Sequence, residues 1–346
     1  MSLQATIAKL LLKLPAGMKV KMAGGKPVTI AGRTLDPNFQ FIAHGAAQQP
    51  PMSSMTAQDG RAASAAGLAM FGAKPEKGVT WTNFDIPSPD GHNIPVRLYK
   101  PESQDAAAPM MVYFHFGGGV IGDLETCHAF CTIIASIVKC PVLSVDYRLA
   151  PEHPHPAGYN DCRVAYEWTL KNASQHGAPA GRATVGGDSM GGHLSAVLCQ
   201  DVREDGIPMP DLQLLIYPAT DLVNELPSKT VFGDTYPLST DTMDWFMGHF
   251  LPADMDRSGY MVSPALNPKL EGLPPAIIVT AGFDPLADDG PAYAQKLEAA
   301  GVSAEYKCYD SLAHGFTAFT AVVPAADKAC REIAVMVKDA YAKIEA

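Results

Sequence analysis

The stretch Val185-Gly186-Gly187-Asp188-Ser189-Met190-Gly191-Gly192-His193 has the residue types and spacing to present a reactive hydroxyl. Gly187-x-Ser189-x-Gly191 is the pattern of a nucleophile elbow, a strained strand-to-helix turn that lifts a serine Oγ clear of the backbone. Small flanking residues are required because the chain doubles back on itself there. Ala183-Thr184-Val185 reads as the end of a buried strand, and Leu194 to Val202 as the helix that follows.

A serine hydroxyl is a weak nucleophile without a general base, and the base needs an acid to orient it. The expected chain order after such an elbow is acid, then histidine. His193, His249 and His314 follow Ser189. His314 comes after a predicted strand, in Ser311-Leu312-Ala313-His314-Gly315-Phe316, and is the expected base. His193 is one helical turn past the serine and should pack or cap, and His249 lies in a lid-like stretch. Asp284 follows the strand that ends at Ala281-Gly282-Phe283 and is the expected acid, with Asp221 as competitor. Asp288 and Asp289 read as caps of the next helix.

The developing negative charge of an acyl-transfer transition state calls for backbone N–H donors. His115-Phe116-Gly117-Gly118-Gly119 follows a buried strand and departs by one residue from an HGGG-type loop. Gly117 and Gly118 would supply two amides, and Met190 a third.

The elements needed to position these groups are legible as hydrophobic rhythm. Strands are expected over 79–86, 94–99, 110–115, 141–145, up to 186, 212–217, 276–281 and 303–309. Helices are expected over 129–138, 159–172, from 194, 292–300 and 325–341. This alternation predicts an α/β fold around a mostly parallel sheet. Residues 1–76 read as an N-terminal cap segment, with a helix over 52–71. Residues 77–218 and 263–346 form the two parts of the core, and 219–262 an irregular cap insertion beyond the sheet's carboxyl edge. Leu3, Ile7, Leu10, Leu11 and Leu14 share one face of an expected N-terminal helix.

Composition bounds the remainder. The chain has 346 residues, 47% of them hydrophobic, and a net charge of −10, which argues against a nucleic-acid partner. No run of about 18 apolar residues supports a membrane span. Cys127, Cys131, Cys140, Cys162, Cys199, Cys308 and Cys330 show no metal-binding or redox spacing. A reduced, cytoplasmic protein without structural disulfides is expected.

Five ordered motifs over about residues 80–320 make the chain similar to the hormone-sensitive-lipase-like, or bacterial family IV, esterases of the α/β-hydrolase superfamily. They are Tyr113 to Gly119, Asp146-Tyr147-Arg148-Leu149-Ala150-Pro151-Glu152, Gly187 to Gly192, Asp284-Pro285-Leu286 and His314-Gly315-Phe316. The resemblance points to the subgroup whose elbow usually reads Gly-Asp-Ser-Ala-Gly. It implies an eight-stranded sheet, a helical cap, a serine mechanism with no metal or cofactor, and small acyl esters of short to medium chain as substrates. It also allows a homodimer. Two readings compete with a carboxylesterase: a non-catalytic small-molecule binder, and a lactonase or amidase using the same triad. Phe116, Gly119 and Met190 depart from the family pattern, and the missing aromatic at 119 is expected to reshape the pocket. Within Asp146 to Glu152 an Arg148–Glu152 pair is expected to brace a loop.

Overall fold

Why the elbow and the glycine loop meet follows from the order of strands in the sheet. The structure, a computed structural model, describes residues 10–344. The N-terminal part carries α1 (Ala16–Met22), a short antiparallel hairpin of β1 (Thr29–Ile30) and β2 (Arg33–Thr34), α2 (Pro37–Ala46) and α3 (Ala57–Phe71). The core begins with β3 (Val79–Pro87) and β4 (Asn93–Pro101). It continues through β5 (Met110–Phe114), α4 (His128–Val138), β6 (Val142–Val145), α5 (Ala157–Asn172), β7 (Ala183–Asp188), α6 (Met190–Glu204) and β8 (Gln213–Ile216). Two helices, α7 (Pro227–Val231) and α8 (Thr240–Phe250), follow before β9 (Ala276–Phe283), α9 (Asp289–Ala299), β10 (Ala304–Ala313) and α10 (Pro324–Ile344).

The eight core strands run in the order β10-β9-β8-β7-β5-β6-β4-β3. Pairings from β6 across to β10 are parallel, while β3–β4 and β4–β6 are antiparallel. Every residue of β5 to β9 is buried, because helices cover both faces, and this is why these strands read as continuous apolar runs. After β5 the chain pairs to one side through β6 and then crosses to the other through β7. The direction of winding reverses between β5 and β7, and ligand crevices in open α/β sheets form outside the carboxyl ends of the strands at such a switch point. The glycine loop leaves β5 and the serine leaves β7, so topology alone places them at that crevice.

Local chemistry explains the helix starts nearby. The Asp36 carboxylate accepts from the Asn38 amide, with Pro37 in the first turn of α2. Thr56 accepts from Asp59 N–H at the start of α3, and Ser239 from Thr242 N–H at the start of α8. Each satisfies an amide that the first helical turn leaves without a partner.

The insertion over 219–262 is not irregular as expected, since α7 and α8 occupy it; Ser239 before an aromatic run was the available signal. The helix expected over 52–71 is broken, with a 3₁₀ turn at Met52–Ser54 and α3 starting at Ala57. The amphipathic N-terminal helix lies largely outside the described residues. Within them only Leu10 and Leu11 are helical, and Leu10 is exposed.

N-terminal elements and insertion are stapled to each other and to the core. Trp245 Nε1 donates to the Met55 carbonyl at 2.9 Å. Arg61 donates to the carbonyls of Val120 and Ala150, both at 2.8 Å, and pairs with Glu152. Arg148 instead pairs with Asp161 at 2.8 Å and Asp90 at 3.1 Å. The expected Arg148–Glu152 pair therefore does not form. Asp161 is fully buried and takes the guanidinium that its own desolvation requires, while Glu152 is free to hold the N-terminal segment.

Candidate active site

Ser189 sits at the end of β7 with φ +55° and ψ −115°, a conformation that costs an L-residue about 1–3 kcal/mol. Its amide donates to the Ile216 carbonyl at 2.8 Å and its carbonyl accepts from His193 N–H at 3.0 Å, so β8 and α6 hold the turn from both sides. The glycine spacing has a steric cause. A Cβ at 187 would overlap the backbone of Gly191, and one at 191 would overlap the Phe114 carbonyl of β5.

The structure brings Ser189, Asp284 and His314 together from β7, β9 and β10. The Ser189 hydroxyl donates to His314 Nε2 at 2.9 Å. His314 Nδ1–H donates to Asp284 Oδ2 at 2.7 Å, and Asp284 Oδ1 accepts from the Leu286 amide at 2.8 Å. Asp284 is fully buried and His314 nearly so. A carboxylate held on both oxygens fixes the imidazole ring with its acceptor nitrogen toward the serine. The competing residues are occupied elsewhere. His193 Nδ1 donates to the Ala219 carbonyl at 2.9 Å, and His249 packs edge-on against Trp245. Asp221 Oδ1 accepts from Val223 and Asn224 within its own loop.

Gly117 and Gly118 have φ values of +129° and +62°, which only glycine adopts without strain. A Cβ at Gly117 would overlap the Ile121 carbonyl, and one at Gly118 the Phe246 ring. Among the described residues no carbonyl accepts from the amides of Gly117, Gly118 or Met190. These three donors line the same cavity as Ser189 and His314. His115 anchors the loop: its carbonyl accepts from Tyr147 OH at 2.7 Å and its Nδ1 donates to the Phe116 carbonyl at 2.7 Å. Burial pushes its pKa down to about 4, so the ring is neutral.

Gly119 is not in the cavity wall. A side chain there would overlap Phe250 of α8, so the aromatic that the resemblance places at 119 has its volume supplied by Phe250. Position 119 is thus filled from α8, while Phe246, which covers Gly118, and Phe116 are among the aromatic residues that line the cavity.

Three groups went unforeseen. Asp188, the first variable residue of the elbow, is fully buried and its pKa is raised by desolvation. It accepts from Thr317 Oγ1 at 2.7 Å, Tyr217 OH at 3.0 Å and Cys127 Sγ at 3.3 Å. The Tyr217 ring lies 4.7 Å from that of His314, so this network backs the histidine. Tyr236 lines the cavity, its pKa raised by burial, and its hydroxyl has no hydrogen-bond partner among the described residues. The third group is Asp289.

Asp288 and Asp289 do not cap α9 with their side chains. Asp288 accepts from Ser228 N–H at 2.8 Å, and Asp289 Oδ1 from the amides of Thr220 and Asp221 at 2.9 and 3.0 Å, tying the insertion to α9. Burial raises Asp289 to about 7. Unfolded, the group ionises near 3.9. Folding therefore takes up a proton between these two values, and the stability involved is fully present below pH 4 and lost as pH rises through 7. Asp289→Asn should flatten a decline on the order of 2–4 kcal/mol between pH 4 and 7. Urea unfolding at several pH values checks this, and an unchanged pH slope would refute it.

The family described as the alpha/beta hydrolase fold matches residues 111–318. The chain belongs to that family. It falls in the hormone-sensitive-lipase-like branch of the α/β-hydrolases. The hydrolase is similar to "Carboxylic ester hydrolase LipN" of Mycobacterium tuberculosis, 41% identical over 89% of this chain and 84% of that protein. It is similar to "Ethyl acetate hydrolase" of Pseudomonas putida, 32% identical over 80% of this chain and 88% of that protein. Among solved structures, an ester hydrolase from the metagenome of Lake Arreo, complexed with a bipyridine phosphonate derivative, superposes with a TM-score of 0.84. It is 38% identical, covering 88% of this hydrolase and 98% of that chain.

Proposed function

We propose that this carboxylesterase hydrolyses short- to medium-chain acyl esters through Ser189, His314 and Asp284. The observation that carries the reading is the continuous relay from Ser189 Oγ through His314 to buried Asp284, set in one cavity with three uncommitted amides. His314 Nε2 takes the hydroxyl proton as Oγ attacks the ester carbonyl. The tetrahedral oxyanion is received by Gly117, Gly118 and Met190 N–H. His314 returns the proton to the departing alcohol, leaving an acyl-serine, and water then enters through the same base to release the acid. Asp284 keeps the imidazole in the working tautomer and stabilises the imidazolium.

No metal or cofactor enters this scheme. Residues 1–76 and 219–262 form the cap over the core parts 77–218 and 263–346, consistent with the contacts of Trp245 and Arg61 described above. All seven cysteines are free, which fits a reduced, cytoplasmic enzyme. A homodimer is part of the same proposal and is read out by sedimentation.

The cavity of about 950 Å³ has a largely apolar lining and gives an acyl chain room to extend. A series of p-nitrophenyl esters from acetate to laurate should peak at short to medium chains; a laurate optimum would contradict this. Met190 is buried and lines the cavity beside the nucleophile. Met190→Ala keeps its backbone amide, so turnover should stay within about tenfold while the chain-length profile shifts. An unchanged profile would show that the side chain does not define the acyl site.

A further inference from the structure

Charge along this chain is segregated. Lys9, Lys13, Lys19, Lys21, Lys26 and Arg33 precede the first acidic residue, Asp36, leaving a formal −16 on the rest of a chain whose total is −10. Two of these cations are committed inside the fold. Lys19 is buried and bonded to the Leu12 carbonyl and Asn38, and Arg33 pairs with Asp310 and donates to the Gly282 carbonyl. Lys13, Lys21 and Lys26 are exposed and form no ion pair among the described residues.

Interleaved with these lysines is apolar surface. Leu10 is 60% exposed, Met18 50%, Met22 46% and Val28 37%. Met18 and Met22 lie one turn apart on α1 and share a face, while Lys19 fastens the helix to α2. The same segment also reaches the interior. Val28, followed by Ile30 and Leu35, also lines the cavity that contains Ser189 and His314.

We propose that this N-terminal segment docks on an anionic lipid surface and sets the adjoining rim of the cavity against it. Apolar side chains bordered by lysines suit the headgroup boundary, where each lysine strengthens binding roughly fivefold. The acidic remainder of the chain is repelled by the same surface, so the charge segregation also orients the protein. A second copy of the chain is a poorer occupant. Four exposed apolar side chains fall well short of the about 800 Å² per partner that a stable protein interface takes. Only the purpose of docking, delivery of esters from the lipid phase, rests on the esterase reading.

Docking is tested on the Ser189→Ala full-length protein, so that no turnover enters the readout. The protein should co-sediment with vesicles of equal parts phosphatidylcholine and phosphatidylglycerol, and binding should fall as salt is raised. Combined Lys13→Glu, Lys21→Glu and Lys26→Glu should weaken binding at least about a hundredfold. Met18→Ser with Met22→Ser should weaken it about tenfold. In the active background both sets of changes should leave hydrolysis of soluble p-nitrophenyl acetate unaltered. Absence of binding, equal binding to pure phosphatidylcholine, or full binding by the triple lysine variant would overturn the proposal. So would self-association in sedimentation velocity that the triple lysine variant abolishes, which would assign the face to a second copy. Vesicle binding by a protein whose active form hydrolyses no ester would leave docking standing and remove the esterase reading.

Discussion

Ser189→Ala should lower kcat/KM for p-nitrophenyl butyrate on the order of 10⁵–10⁶-fold while leaving the fold intact. The size follows from removal of the covalent step. With no Oγ, the His314–Asp284 pair has no proton to take from a nucleophile, and what survives is positioning and oxyanion stabilisation alone. The fold should survive because Cβ is kept. The strained φ of +55° is imposed by the Ile216 and His193 bonds to the backbone, none of which involves the hydroxyl. Urea unfolding should therefore match the parent within about 1 kcal/mol. A stoichiometric adduct between the parent protein and a p-nitrophenyl phosphonate should also disappear in the variant. Activity within a hundredfold of the parent would assign the chemistry to another group. Failure of the parent protein to form the phosphonyl-serine adduct would favour the non-catalytic binder.

Gly117→Ala is expected to be the next most damaging change, for a reason rooted in the backbone. The new Cβ would overlap the Ile121 carbonyl, which belongs to the turn in which Gly117 O accepts from Val120 and Ile121 N–H at 2.9 and 3.0 Å. Neither side of that turn can move without opening it, and a φ of +129° is strained for alanine in any surroundings. The loop should rotate and carry the amides of Gly117 and Gly118 away from the oxyanion. Loss of one donor costs about 10²–10³ in kcat, so loss of aim in two should cost at least about 10³. KM should change far less, because the apolar walls of the cavity are untouched. Single-turnover kinetics separate the two effects. A rise in KM with kcat unchanged would show that the glycine loop binds substrate and does not stabilise the transition state.

Legibility in the sequence tracks how local each cause is. The elbow could be read because its requirement is steric and falls within five residues. Glycine is needed at 187 and 191 since each Cβ would enter backbone only a few residues away or on the next strand. Asp284 and His314 could be read because each directly follows a parallel strand, and the ends of parallel strands share one edge. The α/β rhythm was visible for the same reason, since helix and strand periodicity are properties of neighbouring residues.

Other features depend on partners far along the chain, which periodicity does not report. Arg148 pairs with Asp161 and not with nearby Glu152, because Asp161 is the buried charge that needs compensation. Glu152 reaches Arg61, 91 residues away. Asp289 looked like a helix cap, and only folding shows its carboxylate beneath the 220–221 amides. Phe250 fills the space above Gly119 from 131 positions downstream, so a departure at 119 is compensated by an element whose identity as a helix was itself missed. The sequence by itself determined which residues can do acyl-transfer chemistry and in what order they occur. The tertiary structure decided which charges neutralise one another, what covers the glycine loop, and how Asp188 and Tyr217 back His314. Those outcomes are set by desolvation and close packing, which exist only once distant segments have been brought together.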